Sequence, residues 1–372
     1  MDPIAHTFTG AALAASGLRR ATPLATAALV IGANAPDIDI VASFGPDFYS
    51  LAHRRGWTHG LLAMAVLPFL VTGMLLAWDR LWRRHRRADA APIRAGPLLG
   101  LAALGVASHP TLDWLNNYGM RWLMPFDGRW FYGDALFIID PWVWLVLGGA
   151  VFLMYSRRLP SLAAWCAFWF LATLLVFSTA EVAEHVRWIW ALGIGVLLVA
   201  RAVGWSAPVC KRGVERTTRV ALVAICAYMA TSLIANIPAR EEVRATLTGR
   251  GYDSIGRVMI GPVPANPFAA VIVAETPDAY VTGRWNWLAR PRLESGTQSI
   301  PRPPQNAVSE AAAGTPEVRR FLTWARFPYF EIETADSGHR IVRFRDARYL
   351  GTDRLGAPAV VVDGDLETRY VD

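Results

Sequence analysis

Long apolar segments dominate this chain and limit the folds open to it. Six stretches of about 18–20 mostly apolar residues are each long enough to cross the roughly 30 Å hydrocarbon core of a bilayer. They cover 60–78, 97–115, 136–155, 161–179, 187–204 and 219–237. With 53% hydrophobic residues, 18% charged residues and a mean hydropathy of +0.28, the composition is too apolar for a soluble protein. We therefore predict a mainly α fold, a polytopic helical membrane bundle with six clear spans.

Two weaker apolar segments, 5–18 and 22–40, precede these spans. The first is short and rich in Thr and Gly, and the second ends in the sequence Pro36-Asp37-Ile38-Asp39. We expect both segments either to span the membrane or to lie partly embedded in it. The first residues lack the basic region of a signal peptide, so we expect His6 to remain in the mature protein.

The distribution of arginine predicts how the spans are oriented. Short cytoplasmic loops collect basic residues, and arginines concentrate in the loop 79–95 and in the loops that follow residues 155 and 204. The connections 116–135 and 180–186 have mixed or acidic charge, so we expect them on the outer side. By this count the last span ends outside, and the residues after Pro238 lie there as well.

The tail after Pro238 differs from the rest of the chain. Short alternating segments separated by turn residues predict a C-terminal soluble β-rich domain. We therefore predict three domains: 1–155 with the ionisable residues described next, 156–237 with additional transmembrane helices, and 238–372 as the β-rich domain.

The overall charge has a simple explanation. The formal net charge of +7 comes from arginines in the loops between spans, and no nucleic-acid recognition motif accompanies them. We expect no nucleic-acid partner. The lipid bilayer is the expected partner, and the sequence does not define a protein partner for the C-terminal domain.

Ionisable residues within or beside membrane segments are costly, and they are therefore candidates for function. By the predicted topology these residues can meet at the outer membrane face. They are His6, Asp37, Asp39, His53, His59, His109, Asp113 and Asp140. His109 and Asp113 are four residues apart, which places both on one face of a helix. A mixed set of imidazoles and carboxylates suits zinc, manganese or iron better than calcium.

Each of these elements also has an ordinary structural explanation. His109 and Asp113 can form an interhelical hydrogen bond, Asp37 can be a turn residue after Pro36, and His53 can be a solvated loop residue. The convergence favours a metal site, because five of the seven histidines lie before residue 110 and among these only His85 falls outside the cluster.

Four short motifs together resemble a known family. They are His6 with Gly10, Pro36-Asp37-Ile38-Asp39, His53-Arg54 followed by Thr58-His59, and His109-Pro110-Thr111-Leu112-Asp113. This combination resembles the predicted membrane-bound metal-dependent hydrolases, bacterial inner-membrane proteins that look distantly related to zinc-dependent phospholipase C and P1 nuclease. The resemblance covers about residues 1–155. Gly60 departs from the family pattern, which usually has a serine there.

The resemblance implies hydrolysis of a phosphoester or other ester of a lipid or periplasmic substrate by metal-activated water. A bound divalent ion lowers the pKa of water from about 15.7 towards about 7. The implied cofactor is one to three divalent ions, zinc first, with manganese or iron as alternatives. The implied metal ligands are His6, Asp37, Asp39, His53, His59, His109 and Asp113. Asp39 and Asp37 are the implied catalytic residues, with Asp39 as a base or bridging carboxylate.

The resemblance also implies a location and a substrate contact. It predicts the bacterial inner (cytoplasmic) membrane, and the arginine distribution predicts that the site and the C-terminal domain face the periplasm. Arg54, Arg55 and Arg121 are outer-side cations suited to holding a phosphate, although Arg54 and Arg55 equally suit anchoring to lipid headgroups.

Two other functions stay open at this stage. A metal-handling transporter would use the same residues as an ion path, but the inner halves of the spans carry almost no ionisable groups. A non-enzymatic membrane scaffold would bind a partner through its C-terminal domain, where Trp285, Trp287 and Trp324 are either contact residues or core residues.

Overall fold

Helices make up most of the first two thirds of the chain, and strands make up much of the last third. The computed structural model describes residues 1–87, 89–204, 211–335, 338–350 and 357–371. The helices are α1 Pro3–Ala15, α2 Ala25–Asn34, α3 Tyr49–His53, α4 Leu61–Trp78, α5 Ala95–Trp114, α6 Pro141–Tyr155, α7 Leu159–Ser178, α8 Glu184–Ala202, α9 Lys211–Gly249, α10 Ala307–Ala313 and α11 Pro316–Trp324. A 3-10 segment, Ala35–Phe44, follows α2 directly. The prediction of a mainly α fold is confirmed.

Five helical stretches of the described residues are long and apolar enough to cross a membrane. They are Ala25–Phe44, Leu61–Arg86, Leu159–Ser178, Glu184–Ala202 and Gly213–Gly249. Four of them correspond to predicted spans, and the fifth corresponds to the weaker segment 22–40. The predicted count of six clear spans is therefore not confirmed. The orientation of the helices stays a prediction.

Two predicted spans are helical but fall short for different reasons. The span 97–115 corresponds to α5, in which several glycines, Pro110 and the polar pair His109 and Asp113 lower the hydropathy. The span 136–155 is shortened to α6, because Asp140 caps this helix by accepting from Trp142 N at 2.9 Å. Helix α6 rises about 22 Å, less than the roughly 30 Å of hydrocarbon. The weaker segment 5–18 forms the short helix α1.

The chain folds as two compact units that alternate along the sequence. The first unit comprises Met1–Ile38, Arg55–Ile234 and Pro262–Pro267. The second comprises Asp39–Arg54, Ala235–Gly261 and Phe268–Asp372. The boundaries 1–155, 156–237 and 238–372 stay a prediction.

Small residues allow the helices of the first unit to pack closely. A Cβ at Gly32 of α2 would lie 2.8 Å from the carbonyl oxygen of Ala102, and one at Gly105 of α5 would lie 2.7 Å from that of Leu29. Such backbone contact is a common basis of helix association in membranes, because the lipid is itself apolar and the hydrophobic effect contributes little to association there. Around this pair, a core of alanines and leucines joins α1, α2, α4 and α5.

The second unit contains two four-stranded sheets in which sequential strands are neighbours. The strands are β1 Val258–Val263, β2 Asn266–Glu275, β3 Ala279–Asn286, β4 Gln298–Pro301, β5 Pro328–Thr334, β6 Arg340–Asp346, β7 Ala359–Val362 and β8 Thr368–Val371. Trp285 and Trp324 are each 1% exposed, so both are core residues. The prediction of a β-rich C-terminal region is confirmed.

The segment Asp39–Arg54 belongs to the second unit because its α3 region packs on α11. The rings of Phe48 and Phe321 meet edge to face at 5.9 Å, and the Tyr370 hydroxyl donates to Asp47 Oδ2 at 3.1 Å. Arg320 also donates to the Asp47 carbonyl oxygen at 3.3 Å. An N-terminal segment therefore contributes to the packing of the C-terminal unit.

The close approach of α2 and α5 makes Gly105 sensitive to a single methyl group. Gly105→Ala is expected to lower the midpoint of thermal unfolding in detergent, because overpacking typically costs about 1–3 kcal/mol. Gly100→Ala on the same helix is the control, since the described residues leave its Cβ position open. If both variants unfolded at the same temperature, the close contact would not limit stability.

Candidate metal centre

The N-terminal helix brings His6 into the interior. The Asp2 carboxylate caps α1 by accepting from the backbone nitrogens of Ile4 and Ala5, both at 3.0 Å. Pro3 occupies the first helical position, where its fixed φ suits a helix start. His6 lies one turn further and is 0% exposed. Asp2 and Pro3 thus fix where α1 begins, and the start of the helix determines the buried position of the His6 side chain.

Two other histidines have one ring nitrogen held by a neighbour. His109 Nδ1 lies 2.7 Å from the carbonyl oxygen of Ala33, and His59 Nδ1 lies 2.9 Å from Thr58 Oγ1. A carbonyl oxygen only accepts, so His109 Nδ1 carries the proton in that contact. The opposite nitrogen, Nε2, is thereby left as a potential ligand atom. Metal-binding histidines are usually oriented by such a second hydrogen bond.

The Nε2 atoms of these two histidines converge on Asp113. They lie 3.1 Å from each other, and they lie 3.3 Å (His59) and 3.7 Å (His109) from Asp113 Oδ2. Two ligands of a tetrahedral zinc ion, each about 2.0–2.1 Å from the metal, are about 3.3 Å apart. The three atoms therefore have the spacing of a metal-ligand set.

His6 and Asp37 form a second set with His109. All the candidate ligand atoms of this set lie within 4.8 Å of one another, as do those of His59, His109 and Asp113. The rings of His6 and His109 are stacked, with centroids 3.6 Å apart. His109 Nε2 lies 3.8 Å from Asp37 Oδ1.

The ring nitrogens of His6 indicate that a ligand is suited to this place. His6 Nε2 lies 3.3 Å from Asp113 Oδ1, yet neither ring nitrogen makes a hydrogen bond of normal geometry with any described residue. Buried polar atoms are nearly always satisfied. A cation bound by His6 would satisfy one of these nitrogens, so the residues present fit a metal ion.

Both sets depend on the same atom of His109. Its Nδ1 is occupied by Ala33, and Nε2 has a single lone pair. His109 can therefore bind one cation at a time. Among the described residues of the first unit, the two sets therefore do not bind two separate cations through His109.

Buried polar groups other than the histidines also contact Asp113. Arg55 Nε lies 3.0 Å from Asp113 Oδ2, and Arg55 also donates to Asn116 Oδ1 at 3.0 Å. The Arg55 guanidinium stacks over the Tyr118 ring at 4.4 Å. Arg55 thus contacts the candidate ligand Asp113 directly. Arg121 joins this region by donating its backbone N–H to the Arg55 carbonyl oxygen at 3.0 Å.

Five of the seven predicted ligands come together in the first unit: His6, Asp37, His59, His109 and Asp113. Asp39, His53 and Arg54 belong to the second unit. Arg54 lies 3.4 Å from Asp39 Oδ1, whereas His53 is exposed and stacks on Tyr49 at 3.7 Å. Asp140 caps α6 and accepts from the Tyr228 hydroxyl at 3.0 Å, so its contacts are structural.

Two features of the site were not anticipated. Asn116 is 0% exposed and accepts from Arg55, and its only sequence signal is its position three residues after Asp113. Gly60, the departure from the resembled pattern, has a steric cause: a Cβ there would lie 2.3 Å from the carbonyl oxygen of Met124. A serine does not fit at this position without a shift of the backbone around Met124.

Comparison with known proteins agrees with a membrane protein. Residues 1–185 match the model of the family described as YdjM inner membrane protein, a range that contains all five converging residues. The uncharacterized protein YfhP of Bacillus subtilis (strain 168) is 24% identical over 135 residues, which are 36% of this chain and 38% of that protein. This chain thus spans little more than a third of that relative. No solved structure matches it.

The shared use of His109 predicts how many zinc ions one chain binds. The purified full chain is expected to bind about one zinc ion, measured by elemental analysis, and His109→Ala is expected to lose it. The reason is that both sets made entirely of first-unit residues need His109 Nε2. His339→Ala, in an exposed position of the second unit, serves as the control. Two or more tightly bound ions per chain would contradict the single-centre interpretation.

Proposed function

We propose that this membrane protein, whose residues 1–185 match the YdjM inner membrane protein family, is a metal-dependent hydrolase of a phosphoester or another ester. The observation that supports this best is the group of three histidines and two aspartates, all buried except Asp37, in which the ring nitrogens of His6 lack hydrogen bonds with described residues. A bound divalent ion, zinc first, would supply a Lewis acid and lower the pKa of water towards about 7.

Each protein group has a distinct task in this proposal. His59 and His109 offer Nε2 to the cation while Thr58 and Ala33 fix their rings. Asp113 supplies negative charge, and Arg55 orients that carboxylate by contacting Oδ2, the same oxygen that His59 and His109 approach. The role of Asp39 as a base stays a prediction of the sequence. Its ligand role and that of His53 stay predictions.

The exposure of the ligands supports one direction of access. The side chain of Asp37 is 18% exposed, whereas those of His6, His59, His109 and Asp113 are at most 1% exposed. Water and substrate would therefore approach along Asp37. The buried ligands keep bulk water out of the remainder of the site, which strengthens electrostatic contacts there.

Apolar side chains beside the ligands support a lipid substrate. Ile38, next to Asp37, is 63% exposed, and Trp57, two residues before His59, is 60% exposed. Aromatic residues of this kind favour the membrane interface. We propose that the site works at headgroup level and, from the arginine distribution, on the periplasmic side of the inner membrane.

The proposal predicts metal-dependent hydrolysis. The zinc-loaded full chain in detergent is expected to cleave bis(4-nitrophenyl) phosphate, and a chelator is expected to abolish cleavage until zinc is restored. The double variant Asp37→Ala, His59→Ala should lose more than the roughly 10–100-fold that changes around a ligand cause. Release of 4-nitrophenol measures the rate.

His85→Ala is the matched control, because this exposed histidine lies outside the cluster. A metal-free protein that is unaffected by the double substitution would contradict the proposal. Zinc uptake into proteoliposomes without any hydrolysis would point to the metal-handling transporter instead.

A further inference from the structure

The side-chain amide of Asn116 is buried and fixed in orientation. Its Oδ1 accepts three hydrogen bonds, from Arg55 Nη1 at 3.0 Å, Tyr118 N at 2.9 Å and Gly119 N at 3.3 Å. All three partners are donors, so the atom that faces them must be the oxygen and not the nitrogen. The amide nitrogen therefore points away from this group of donors.

That nitrogen, Nδ2, is a buried donor with no hydrogen-bond partner among the described residues. The side chain of Asn116 is 0% exposed. An amide nitrogen carries two N–H groups, and buried donors are nearly always satisfied in folded proteins. The acceptor for Asn116 is therefore expected to come from outside the described chain.

Positive charge next to Asn116 indicates what kind of acceptor fits. Arg55 contacts both Asn116 Oδ1 and Asp113 Oδ2, each at 3.0 Å, so one guanidinium links the amide to a candidate metal ligand. A cation bound nearby would add further positive charge. A hydrogen bond to an ionised acceptor is stronger than one to a neutral acceptor. An anionic oxygen suits Asn116 better than a neutral one.

We propose that Asn116 Nδ2 donates a hydrogen bond to an anionic oxygen of the bound substrate, which favours a phosphoester over a carboxylic ester as that substrate. A phosphodiester carries a negative non-bridging oxygen before reaction, whereas a carboxylic ester is neutral. This inference rests on the proposed hydrolase function. It adds Asn116 as a substrate-binding residue and favours the phosphoester among the ester substrates.

Binding of inorganic phosphate to the zinc-loaded full chain, measured by calorimetry, tests the donor. Asn116→Asp keeps an oxygen for Arg55 and removes both N–H groups. The phosphate affinity is expected to fall roughly tenfold to a hundredfold, the loss of a hydrogen bond to a charged group. Zinc content and melting temperature should stay at the wild-type values. The rate with bis(4-nitrophenyl) phosphate should fall in parallel.

Asn117→Asp is the matched control, because it adds the same charge at the adjacent, also buried position. It should change the phosphate affinity less than about threefold, well below the loss expected for a charged hydrogen bond. Equal losses in both aspartate variants would assign the effect to charge and overturn the proposal. Wild-type phosphate affinity in Asn116→Asp, or loss of its zinc, would also overturn it.

Two further results keep this inference separate from the hydrolase function. If Asn116→Asp does not fold, Asn116→Ser replaces it; its shorter side chain should also weaken phosphate binding, and unchanged affinity would overturn the donor role. A wild-type protein that binds zinc and phosphate, loses phosphate binding in Asn116→Asp and cleaves no ester would support the donor and contradict the hydrolase. If the wild-type protein hydrolyses the ester and Asn116→Asp keeps the wild-type phosphate affinity and rate, the hydrolase function is supported and the donor role of Asn116 is contradicted.

Discussion

The burial of the Asp113 carboxylate is the constraint around which the first unit is organised. This side chain is 1% exposed, and a buried carboxylate is tolerated only when opposite charges or donors compensate it. Arg55, His59 and His6 approach it from three parts of the chain, and the amino nitrogen of Met1 contacts it as well. Helices α1 and α5 and the turn before α4 are thus held together at one carboxylate.

Helix packing and the geometry of the site depend on each other. Backbone contact between α2 and α5 at Gly32 and Gly105 brings the carbonyl of Ala33 within 2.7 Å of His109. That hydrogen bond determines which nitrogen of His109 is available to a cation. A small change in helix separation would therefore change both stability and the ligand geometry. The 3-10 segment that directly follows α2 carries Asp37, which lies near His6 and His109.

Much of this arrangement follows from local sequence signals. Apolar length predicts the helices, turn residues predict the β-rich region, and the spacing of His109 and Asp113 places both on one helix face. The convergence of His6, Asp37 and His59 on this pair was also predicted. These signals are strong because ionisable residues are rare within apolar helices.

The remaining features depend on contacts that spacing does not encode. The span count differs because the cap at Asp140 shortens α6 and because polar residues dilute α5. Asn116 belongs to no sequence motif. Its side chain is fixed by three hydrogen-bond donors that come together only in the folded chain. His53 matches a pattern, yet α3 packs on α11, a partner almost 270 residues later in the chain.

The membership of residues 39–54 in the second unit means that no single cut in the chain yields two complete parts. A fragment that ends near Pro238 would retain Asp47 and Phe48 but remove Phe321 and Tyr370, their partners. A fragment that begins there would lack the same N-terminal segment. The C-terminal unit is therefore not a module simply appended to a membrane protein.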